Sequence, residues 1–368
     1  LIEADAVEGT ESVLDHAFIA EHTSGFDAYR QAMLDADWAE LVRATGISRQ
    51  ELLAIGEEVR RSKSTIVCWA MGLTQHKHSV PTLRDVTNVL LLQGNIGRAG
   101  AGLCPVRGHS NVQGDRTVGI YEKPSEAFLE ALDREFSFAA PRPHGFDTVE
   151  AIRAMRDGRV SFFMGMGGNF VSATPDTAVV EAAMARVNLT VHVSTKLNRS
   201  HVVTGRRAII LPTLGRTDRD RRGGSEQRVT VEDSMGAVHG SRGRLAPPAE
   251  DILSEVAIVA RLCALLFADR SSAATLSNVP QADWGALEAD YAQIRTHIER
   301  VIPGFDDYEA RIQKGRTFFL PNGPRDGRRF NTVDGKARFT ANLLEYPVIP
   351  EGRLLLQTLR SHDQYNTT

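Results

Sequence analysis

Twice along this chain, an apolar run of strand length ends near a glycine and gives way to a helical pattern. The first run, Thr65–Ala70, is broken at Gly72, and residues 81–92 carry the helical pattern. The second run, Arg159–Met164, leads into a glycine loop and then into a helical pattern that begins at Pro175. A strand followed by a helix is the repeating unit of parallel sheets, and proline is favoured at the first helical position. The chain is therefore predicted to be an α/β protein built on small, doubly wound parallel sheets.

Other patterns extend this organisation along the chain. Ser48 with Glu51 three positions later predicts a capped helix start for residues 51–61. Further strands are predicted from short apolar runs, and further helices from helical periodicity. These strands are Leu189–Val193 and Ala208–Leu211, and these helices are Asp147–Arg156, Asp251–Phe267, 284–301 and 305–313.

Residues 94–119 contain seven glycines and almost no periodicity. An irregular segment of that length inside a compact domain is usually functional or disordered, and its apolar Leu103, Val106 and Val112 argue against disorder. Its glycines follow a helix, whereas the fingerprint of NAD-binding domains needs a strand before the glycines and a helix after them. We therefore reject NAD binding through this loop and expect a surface of backbone donors that packs against something else.

Two places in this pattern suit ligand binding. Gly72 ends a predicted parallel strand, where ligands approach, and Gln75 offers both a donor and an acceptor for the polar edge of a ligand. A plain turn with a surface glutamine explains the same two residues. Arg107, between Val106 and Gly108, can present a planar fork to a carboxylate or a phosphate, and a solvated loop arginine is the alternative. The residues alone leave these alternatives open.

Composition excludes several classes of function. The net charge is −3, so no overall attraction to nucleic acid or to an anionic membrane is expected. No apolar run approaches the roughly 20 residues needed to span a bilayer. Cys68, Cys104 and Cys263 lie far apart in sequence without a CxxC pair, which argues against a disulfide framework and against a zinc or iron–sulfur site. A reducing, cytoplasmic setting is the natural expectation.

Three local clusters are weighed against simpler explanations. His76 and His78 resemble a metal-binding pair, but no third ligand is apparent, and a turn explains them. The arginines of residues 216–228 lack the interleaved aromatics that nucleic-acid binding favours, and acidic neighbours partly neutralise them. Glu232 and Asp233 are interpreted as an exposed turn rather than an acid–base pair. We therefore expect no metal ligand among these residues.

Several segments closely resemble the alpha subunits of formate dehydrogenases, which belong to the dimethyl-sulfoxide-reductase family of molybdopterin oxidoreductases. Formate dehydrogenase-like alpha subunits of undefined substrate are the most similar branch, and the likeness covers nearly all of the chain. The resembling segments are AMGLTQH (70–76), LLLQGNIGRAGAG (90–102), PVRGHSNVQGD (105–115), FFMGMGGNF (162–170), STKLNRSHVVTGRRAIILP (194–212), VEDSMGAVHGSRG (231–243), FNTVDGKARF (330–339) and LQTLRSHDQYNTT (356–368). The resemblance implies Rossmann-like parallel-sheet units of the kind that form the first three domains of that family, incomplete at both ends.

The resemblance also implies which residues contact the cofactor. The positions that match residues lining one pterin dinucleotide are Gly72, Gln75, Gly102 and Gly108. Those that match the second dinucleotide loop and the ribose or guanine contacts after the next strand are Gly165, Asn169, Thr195, Lys196 and Asn198. A solvated surface lysine is the alternative for Lys196. Glycine loops suit these roles because their amides can approach a pyrophosphate.

Two positions match the catalytic centre of the formate enzymes. Arg107 matches the arginine that faces the metal and holds the substrate carboxylate. His109 occupies the next polar position, where the formate enzymes often carry glutamine, and this departure makes the substrate an open question. An arginine suits this task because its fork aligns the carboxylate and offsets its charge.

The resemblance implies bis-molybdopterin guanine dinucleotide with molybdenum or tungsten as the cofactor. The expected reaction is a two-electron oxidation of formate or a similar small substrate, with electrons passed to a [4Fe–4S] cluster. In the family, the cluster's cysteine motif and the metal-ligating residue precede this segment, and a cap over the cofactor follows it. The expected partners are therefore the small-molecule substrate, the missing N- and C-terminal domains of the same protein and an electron-transfer partner. The segment alone is not expected to catalyse.

Four parts are predicted along the chain. Residues 1–110 form a helical segment and a partial Rossmann-like unit that is the first cofactor cradle, and residues 111–215 form a second such unit and cradle. Residues 216–345 are an irregular α/β region, and residues 346–368 begin a truncated C-terminal dinucleotide-binding domain. The run Leu354–Leu356 predicts a buried strand just before the end, which favours an interior piece of a longer protein.

Two other classes of protein are considered. A non-catalytic scaffold that keeps the fold without redox chemistry would show the same glycine loops. A thiamine-diphosphate enzyme also uses stacked α/β units, but its Gly-Asp-Gly magnesium motif is not found in this sequence.

Overall fold

A computed structural model describes residues 1–9, 13–268 and 278–357. In these ranges the helices are α1 (Ile2–Glu8), α2 (His16–His22), α3 (Phe26–Leu34), α4 (Trp38–Thr45), α5 (Arg49–Arg61), α6 (Met71–Thr74), α7 (Ser79–Leu92), α8 (Val112–Thr117), α9 (Glu126–Phe136), α10 (Thr148–Arg156), α11 (Phe170–Ala173), α12 (Thr177–Met184), α13 (Glu255–Ala268), α14 (Trp284–Ala289), α15 (Tyr291–Val301), α16 (Tyr308–Ile312) and α17 (Gly323–Gly327).

The strands of the described residues form short sheets. They are β1 (Thr23–Ser24), β2 (Ile66–Trp69), β3 (Gly102–Pro105), β4 (Phe162–Met166), β5 (Leu189–Ser194), β6 (Arg207–Pro212), β7 (Arg221–Arg222), β8 (Ser225–Glu226), β9 (Val229–Glu232), β10 (Ala237–Ser241), β11 (Thr317–Phe319) and β12 (Ala337–Arg338). The pairs β1–β12 and β2–β3 and the sheet β4-β5-β6 are parallel, whereas β7–β8 is antiparallel. The prediction of an α/β protein with small parallel sheets is confirmed.

The chain divides into two compact units, each assembled from separate stretches of sequence. The first unit contains Leu1–Gln113, Glu232–Ala237 and Phe319–Leu355. The second contains Gly114–Val231 and Val238–Phe318. The four-part division drawn from the sequence stays a prediction about the intact protein.

The core of the first unit collects apolar side chains from α2, α3 and α7 and from the segment around Phe339. The ring of Tyr29 stacks on Phe339 with 5.1 Å between centroids. One face of the β2–β3 pair joins this core through Val67 and Leu103. Since side chains alternate along a strand, the neighbouring residues of β2 and β3 face the other way. The small sheet is therefore anchored on one face.

Helices pack against both faces of the sheet β4-β5-β6 in the second unit, while most of β6 stays exposed. On one face, Phe163 of β4 packs with α10 and α12 around the fully buried Met184. On the other, Val191 and Val193 of β5 pack against Ile258 of α13. This arrangement leaves the carboxyl ends of the three strands at a single edge.

Several sequence predictions hold, with shifted ends. The capping box of α5 is present, because the Ser48 hydroxyl accepts from the Glu51 N–H at 3.3 Å and the Glu51 carboxylate accepts from the Ser48 N–H at 3.0 Å. Asp290 divides the predicted helix 284–301 into α14 and α15, since its backbone is extended and its side chain caps α15.

One prediction is wrong. The segment 94–119 is not wholly irregular, since it contains the strand β3 and the helix α8. The leucines Leu354, Leu355 and Leu356 are 98%, 61% and 90% exposed and pair with no described strand, so the buried strand expected there stays a prediction about the intact protein. Residues 358–368, which belong to the predicted start of a further domain, lie outside the described residues.

Candidate functional site

In the first unit, the candidate site lies at the carboxyl edge of β2 and β3. The two strands are parallel, with Trp69 opposite Pro105, and the Val106 N–H donates to the Trp69 carbonyl at 2.7 Å. The chain leaves both strands at this edge, which is where ligands bind in parallel α/β sheets. A Cβ on Gly108 would contact only the Met71 Cε, at 3.9 Å, so the loops after β2 and β3 lie side by side.

The predicted cofactor residues after β2 are accessible. Gly72 lies in the short helix α6, is exposed, and has no atom within 4 Å of the place where a Cβ would sit. Gln75 ends that helix with an exposed amide, whose Nε2 lies 3.7 Å from the Met71 sulfur. This weak contact leaves the amide able to meet a ligand edge.

Arg107 follows β3 on the same edge and is exposed. Its backbone N–H donates to the Ser234 hydroxyl at 3.0 Å. Its guanidinium donates to the Gln113 Oε1 from Nη2 at 3.0 Å and from Nε at 3.3 Å. Gln113 therefore fixes one edge of the guanidinium, and the edge formed by the two Nη atoms can receive a carboxylate. Sequence reasoning missed Gln113 and Ser234, since neither contact follows from a motif.

His109 lies two residues beyond Arg107 and is exposed, as is Gly108. Gly102 is separate from them. It opens β3 opposite Ile66, and three residues of strand rise, about 10 Å, separate it from the carboxyl end at Pro105. The structure thus brings Gly72, Gln75, Arg107, Gly108 and His109 to one edge and leaves Gly102 at the other.

In the second unit, a glycine turn follows β4 at the carboxyl edge of the sheet β4-β5-β6. Gly167 and Gly168 both have φ of +70°, a left-handed conformation that favours glycine. Neither glycine has an atom within 4 Å of the place where a Cβ would sit. The Gly167 N–H donates to the Val193 carbonyl at 2.7 Å, which ties the turn to the end of β5. Gly165, by contrast, lies inside β4 opposite His192.

Asn169 and Asn198 connect the loops after β4 and β5. The Asn198 Nδ2 donates to the Gly168 carbonyl at 2.7 Å, and the Asn198 Oδ1 accepts from the Ser200 N–H at 3.0 Å. The Ser200 hydroxyl donates to the Asn169 Oδ1 at 3.0 Å and accepts from the Val171 N–H at 3.1 Å. Both asparagines are therefore engaged in holding the two loops together.

Thr195 and Lys196 lie in the loop after β5, and both are exposed. The Lys196 carbonyl accepts from the Ser194 hydroxyl at 2.7 Å, which shapes the turn while the lysine side chain stays accessible. Leu197 beside it is 77% exposed. These two predicted residues thus lie on the same edge as the glycine turn.

Two buried histidines, which the sequence did not single out, lie beside the loop that follows β5, and one of them is hydrogen bonded to it. The ring centroids of His192 and His201 lie 5.4 Å apart, and the two residues are 4% and 8% exposed. The His201 Nδ1 accepts from the Asn198 N–H at 2.9 Å. The Nε2 atoms of both rings are buried without a hydrogen-bond partner. Burial, followed by the nearby His201, lowers the pKa of His192 from its usual value.

Two of the three local clusters contain ion pairs. His78 Nε2 lies 2.5 Å from a Glu345 carboxylate oxygen. In the arginine-rich stretch, Arg222 pairs with Asp220 at 2.8 Å. Glu232 is 6% exposed, so its interpretation as part of an exposed turn is wrong. Among residues 1–9, 13–268 and 278–357, no three His, Cys, Asp or Glu side chains form a group that could hold a metal ion.

Within the described ranges, no helix combines the length and the apolar character that crossing a membrane requires.

Two long matches to known proteins cover nearly the whole chain. An uncharacterized oxidoreductase of Mycobacterium bovis is 57% identical over 357 residues, which are 97% of this chain and 45% of that protein. This chain is a relative of oxidoreductases. Protein YdeP of Escherichia coli (strain K12) is 42% identical over 374 residues, covering 100% of this chain and 48% of that protein. The chain thus spans about half the length of the curated relatives it matches.

A more distant match concerns the predicted substrate. A Staphylococcus aureus protein named "Putative formate dehydrogenase" is 29% identical over 195 residues, which are 50% of this chain and 20% of that protein. No protein-family model matches the chain. Together these matches make the chain similar to proteins named as oxidoreductases, and they do not single out formate dehydrogenases.

The fold is shared with a solved structure. Acetylene hydratase from Pelobacter acetylenicus superimposes with a TM-score of 0.56 at 15% sequence identity, covering 89% of this chain and 45% of that chain. At this identity the likeness concerns the fold. This likeness is consistent with the parallel-sheet architecture predicted for the chain.

Proposed function

We propose that the full-length protein is a molybdopterin-dependent oxidoreductase of the formate dehydrogenase type. It oxidises formate or a similar small substrate by two electrons at a bis-molybdopterin guanine dinucleotide centre with molybdenum or tungsten. The electrons leave through a [4Fe–4S] cluster held outside this segment. The oxidoreductase relatives support the reaction class, and the resembling motifs support the cofactor and the substrate.

The observation that carries the proposal is the open backbone at the carboxyl edges of the parallel strands. Gly72 in the first unit and Gly167 and Gly168 in the second have no atom within 4 Å of an added Cβ. A ligand can therefore approach the main chain at these places without a side chain in the way. Main-chain amides at strand ends favour phosphate groups, and a pterin guanine dinucleotide carries a pyrophosphate. The residues present fit the proposed cofactor.

In this proposal, the first unit holds one dinucleotide through the backbone of Gly72 and Gly108 and the amide of Gln75. Gly102, with φ of +138°, shapes the turn that starts β3 rather than contacting the ligand at the carboxyl edge.

The second unit holds the other dinucleotide through the turn at Gly167 and Gly168 and through Thr195 and Lys196. Asn169 and Asn198 keep the two loops together, since their side chains are already hydrogen bonded to them. The bound cofactor supplies a metal centre that accepts two electrons from the substrate.

Arg107 binds and orients the substrate carboxylate in this proposal. Gln113 holds the guanidinium by Nε and Nη2, so the Nη1–Nη2 edge faces outward with its donors in a fixed plane. His109, in the same loop, is positioned to hydrogen bond with the substrate or to exchange a proton with it. Histidine suits this role because its imidazole ring can both donate and accept a hydrogen bond.

The test is formate-dependent reduction of a dye by the full-length protein and its variants. Arg107→Ala is expected to lower turnover by about 10²-fold, because without the fork the substrate is misplaced, and a misplacement of about 1 Å can cost that much. Arg107→Lys should recover part of the loss, since it restores the charge without the fork. Molybdenum content should stay near that of the unmodified protein in both variants.

A matched control separates this effect from general damage. Arg61 is an exposed arginine of the same unit, and its Nε pairs with Glu57 at 3.0 Å. Arg61→Ala should leave turnover unchanged. Two results would overturn the role proposed for Arg107. One is that dye reduction by the unmodified protein does not depend on formate. The other is that Arg107→Ala reduces the dye as fast as the unmodified protein does.

A further inference from the structure

Two cysteines that are far apart in sequence lie side by side in the first unit. Cys68 of β2 and Cys104 of β3 are register partners in the parallel pair. Neighbouring strands run about 4.8 Å apart, and disulfides join Cα atoms about 4.4–6.8 Å apart. The backbone spacing of this pair is therefore already compatible with a disulfide bond.

The alternation of side chains puts both thiols on the same face of the strand pair. Val67 and Leu103, one residue earlier on each strand, pack against the core of the unit. Cys68 and Cys104 consequently point to the opposite face, where Cys68 is exposed and Cys104 is half-buried. Both are free thiols, and the thiol of Cys68 is accessible to a reagent in solution.

The two thiols differ in how accessible they are. Cys68 is exposed, whereas Cys104 is half-buried, and burial raises the pKa of the Cys104 thiol. In a thiol–disulfide exchange, this difference in access suits Cys68 as the first nucleophile and its register partner Cys104 as the residue that completes the bond.

We propose that Cys68 and Cys104 form a redox-active dithiol that is oxidised to a disulfide by small-molecule disulfides. The Cys68 thiolate attacks one sulfur of the small disulfide, forming a mixed disulfide and releasing one thiolate. Cys104 then loses its proton to solvent and attacks the Cys68 sulfur, which releases the second thiol. In sum, two protein thiols are oxidised to one disulfide and one small disulfide is reduced to two thiols.

The position of the pair gives the modification a structural consequence. The next residues, Trp69 and Pro105, end the two strands, and the loops that carry Gly72 and Arg107 begin just beyond them. A disulfide would fix the spacing of the strands directly beneath both loops. The proposal concerns the thiols themselves and does not depend on the proposed oxidoreductase function.

The test is peptide mapping of the full-length protein after treatment with oxidised glutathione and alkylation of the remaining thiols. The expected result is a peptide in which Cys68 is linked to Cys104, with loss of alkylation at both and its return after treatment with dithiothreitol. In Cys104→Ser, Cys68 should instead retain a glutathione adduct, because the second step is blocked. Cys263→Ser should leave the linked peptide unchanged.

Two results would overturn the proposal. One is a glutathione adduct on Cys68 in the unmodified protein with no linked peptide, which would mean that Cys104 does not complete the bond. The other is full alkylation of both cysteines after oxidation. Both results are measured on the unmodified protein, so neither depends on how well a variant folds.

Discussion

At the scale of single residues, Gly168 allows the backbone of the second unit to be tested as a ligand surface. Its φ of +70° makes an alanine there strained by about 1–2 kcal/mol, although no atom obstructs the new methyl group. Gly168→Ala in the full-length protein should therefore lower both stability and cofactor retention. Retention is measured as molybdenum and guanine nucleotide remaining after gel filtration.

Gly224 provides the matched control for this variant. It lies in the same unit, has φ of +81° and also has nothing within 4 Å of an added Cβ. It belongs to the turn between β7 and β8, however, and not to the loops that follow β4 and β5. Gly224→Ala should cost similar stability and leave the cofactor in place. Equal loss of cofactor in both variants would show that strain alone explains the effect.

His192 predicts a dependence of stability on pH. Its pKa is lowered in the folded protein from the usual 6.5, so the unfolded chain takes up the proton at a higher pH. The free energy of unfolding should therefore fall as the pH drops below about 6.5, with a slope of at most about 1.4 kcal/mol per pH unit from this one group. Urea unfolding at neutral and mildly acidic pH measures the slope.

The matching variant is His192→Gln, which keeps a polar side chain and removes the titration. Its slope should be shallower than that of the unmodified protein. An unchanged slope would mean that other groups govern the acid sensitivity.

Single residues also show where sequence reasoning ended. The place of Gly72 and Gln75 after a strand was predictable, because the apolar run before them is a local pattern. The place of Arg107 after a strand was not, because β3 was expected to be part of an irregular loop. The hydrogen bonds that Asn198 and Ser200 make to the loop at Gly168 and Asn169 were not predictable. They join residues about 30 positions apart and depend on the rotamers of the folded loops.

At the scale of elements, the start of α10 positions the strand that leads to the second glycine turn. Asp147 accepts from the Glu150 N–H at 2.8 Å, and Ile152 and Met155 of the helix are buried beside α12. Asp147→Ala should lower the free energy of unfolding by about 1 kcal/mol through loss of the cap. Hydrogen exchange should speed up first in the amides of α10.

A serine at the same position supplies the control, because serine also caps helices well. Asp147→Ser should restore most of the lost stability. Equal destabilisation by both changes would contradict the capping role.

Sequence reasoning found the elements whose pattern lies within their own residues and missed an element that depends on pairing with a distant strand. The capping box of α5 and the strands β4 and β5 were predictable from residues within one element. β3 was missed because four residues bounded by Gly102 and Pro105 acquire their strand character by pairing with β2, more than 30 residues earlier. The strand expected at the three leucines 354–356 stays a prediction, since no described strand pairs with these exposed residues.

At the scale of the whole molecule, the chain carries two sets of glycine turns in two compact units and spans about half the length of its curated relatives. The oxidoreductase relationship was predictable from the resemblance of the motifs. The substrate was not, because neither the motifs nor the relatives single one out.

The central claim is that these turns hold a molybdopterin guanine dinucleotide. The direct measurement is the metal and nucleotide content of the full-length protein purified from molybdate-replete cells. The account predicts roughly one molybdenum atom per chain and about two guanine nucleotides per metal after acid hydrolysis, in proportion to the two dinucleotides of the proposed centre. Protein that is folded and pure yet contains neither molybdenum, tungsten nor guanine nucleotide would contradict the claim and favour a non-catalytic scaffold.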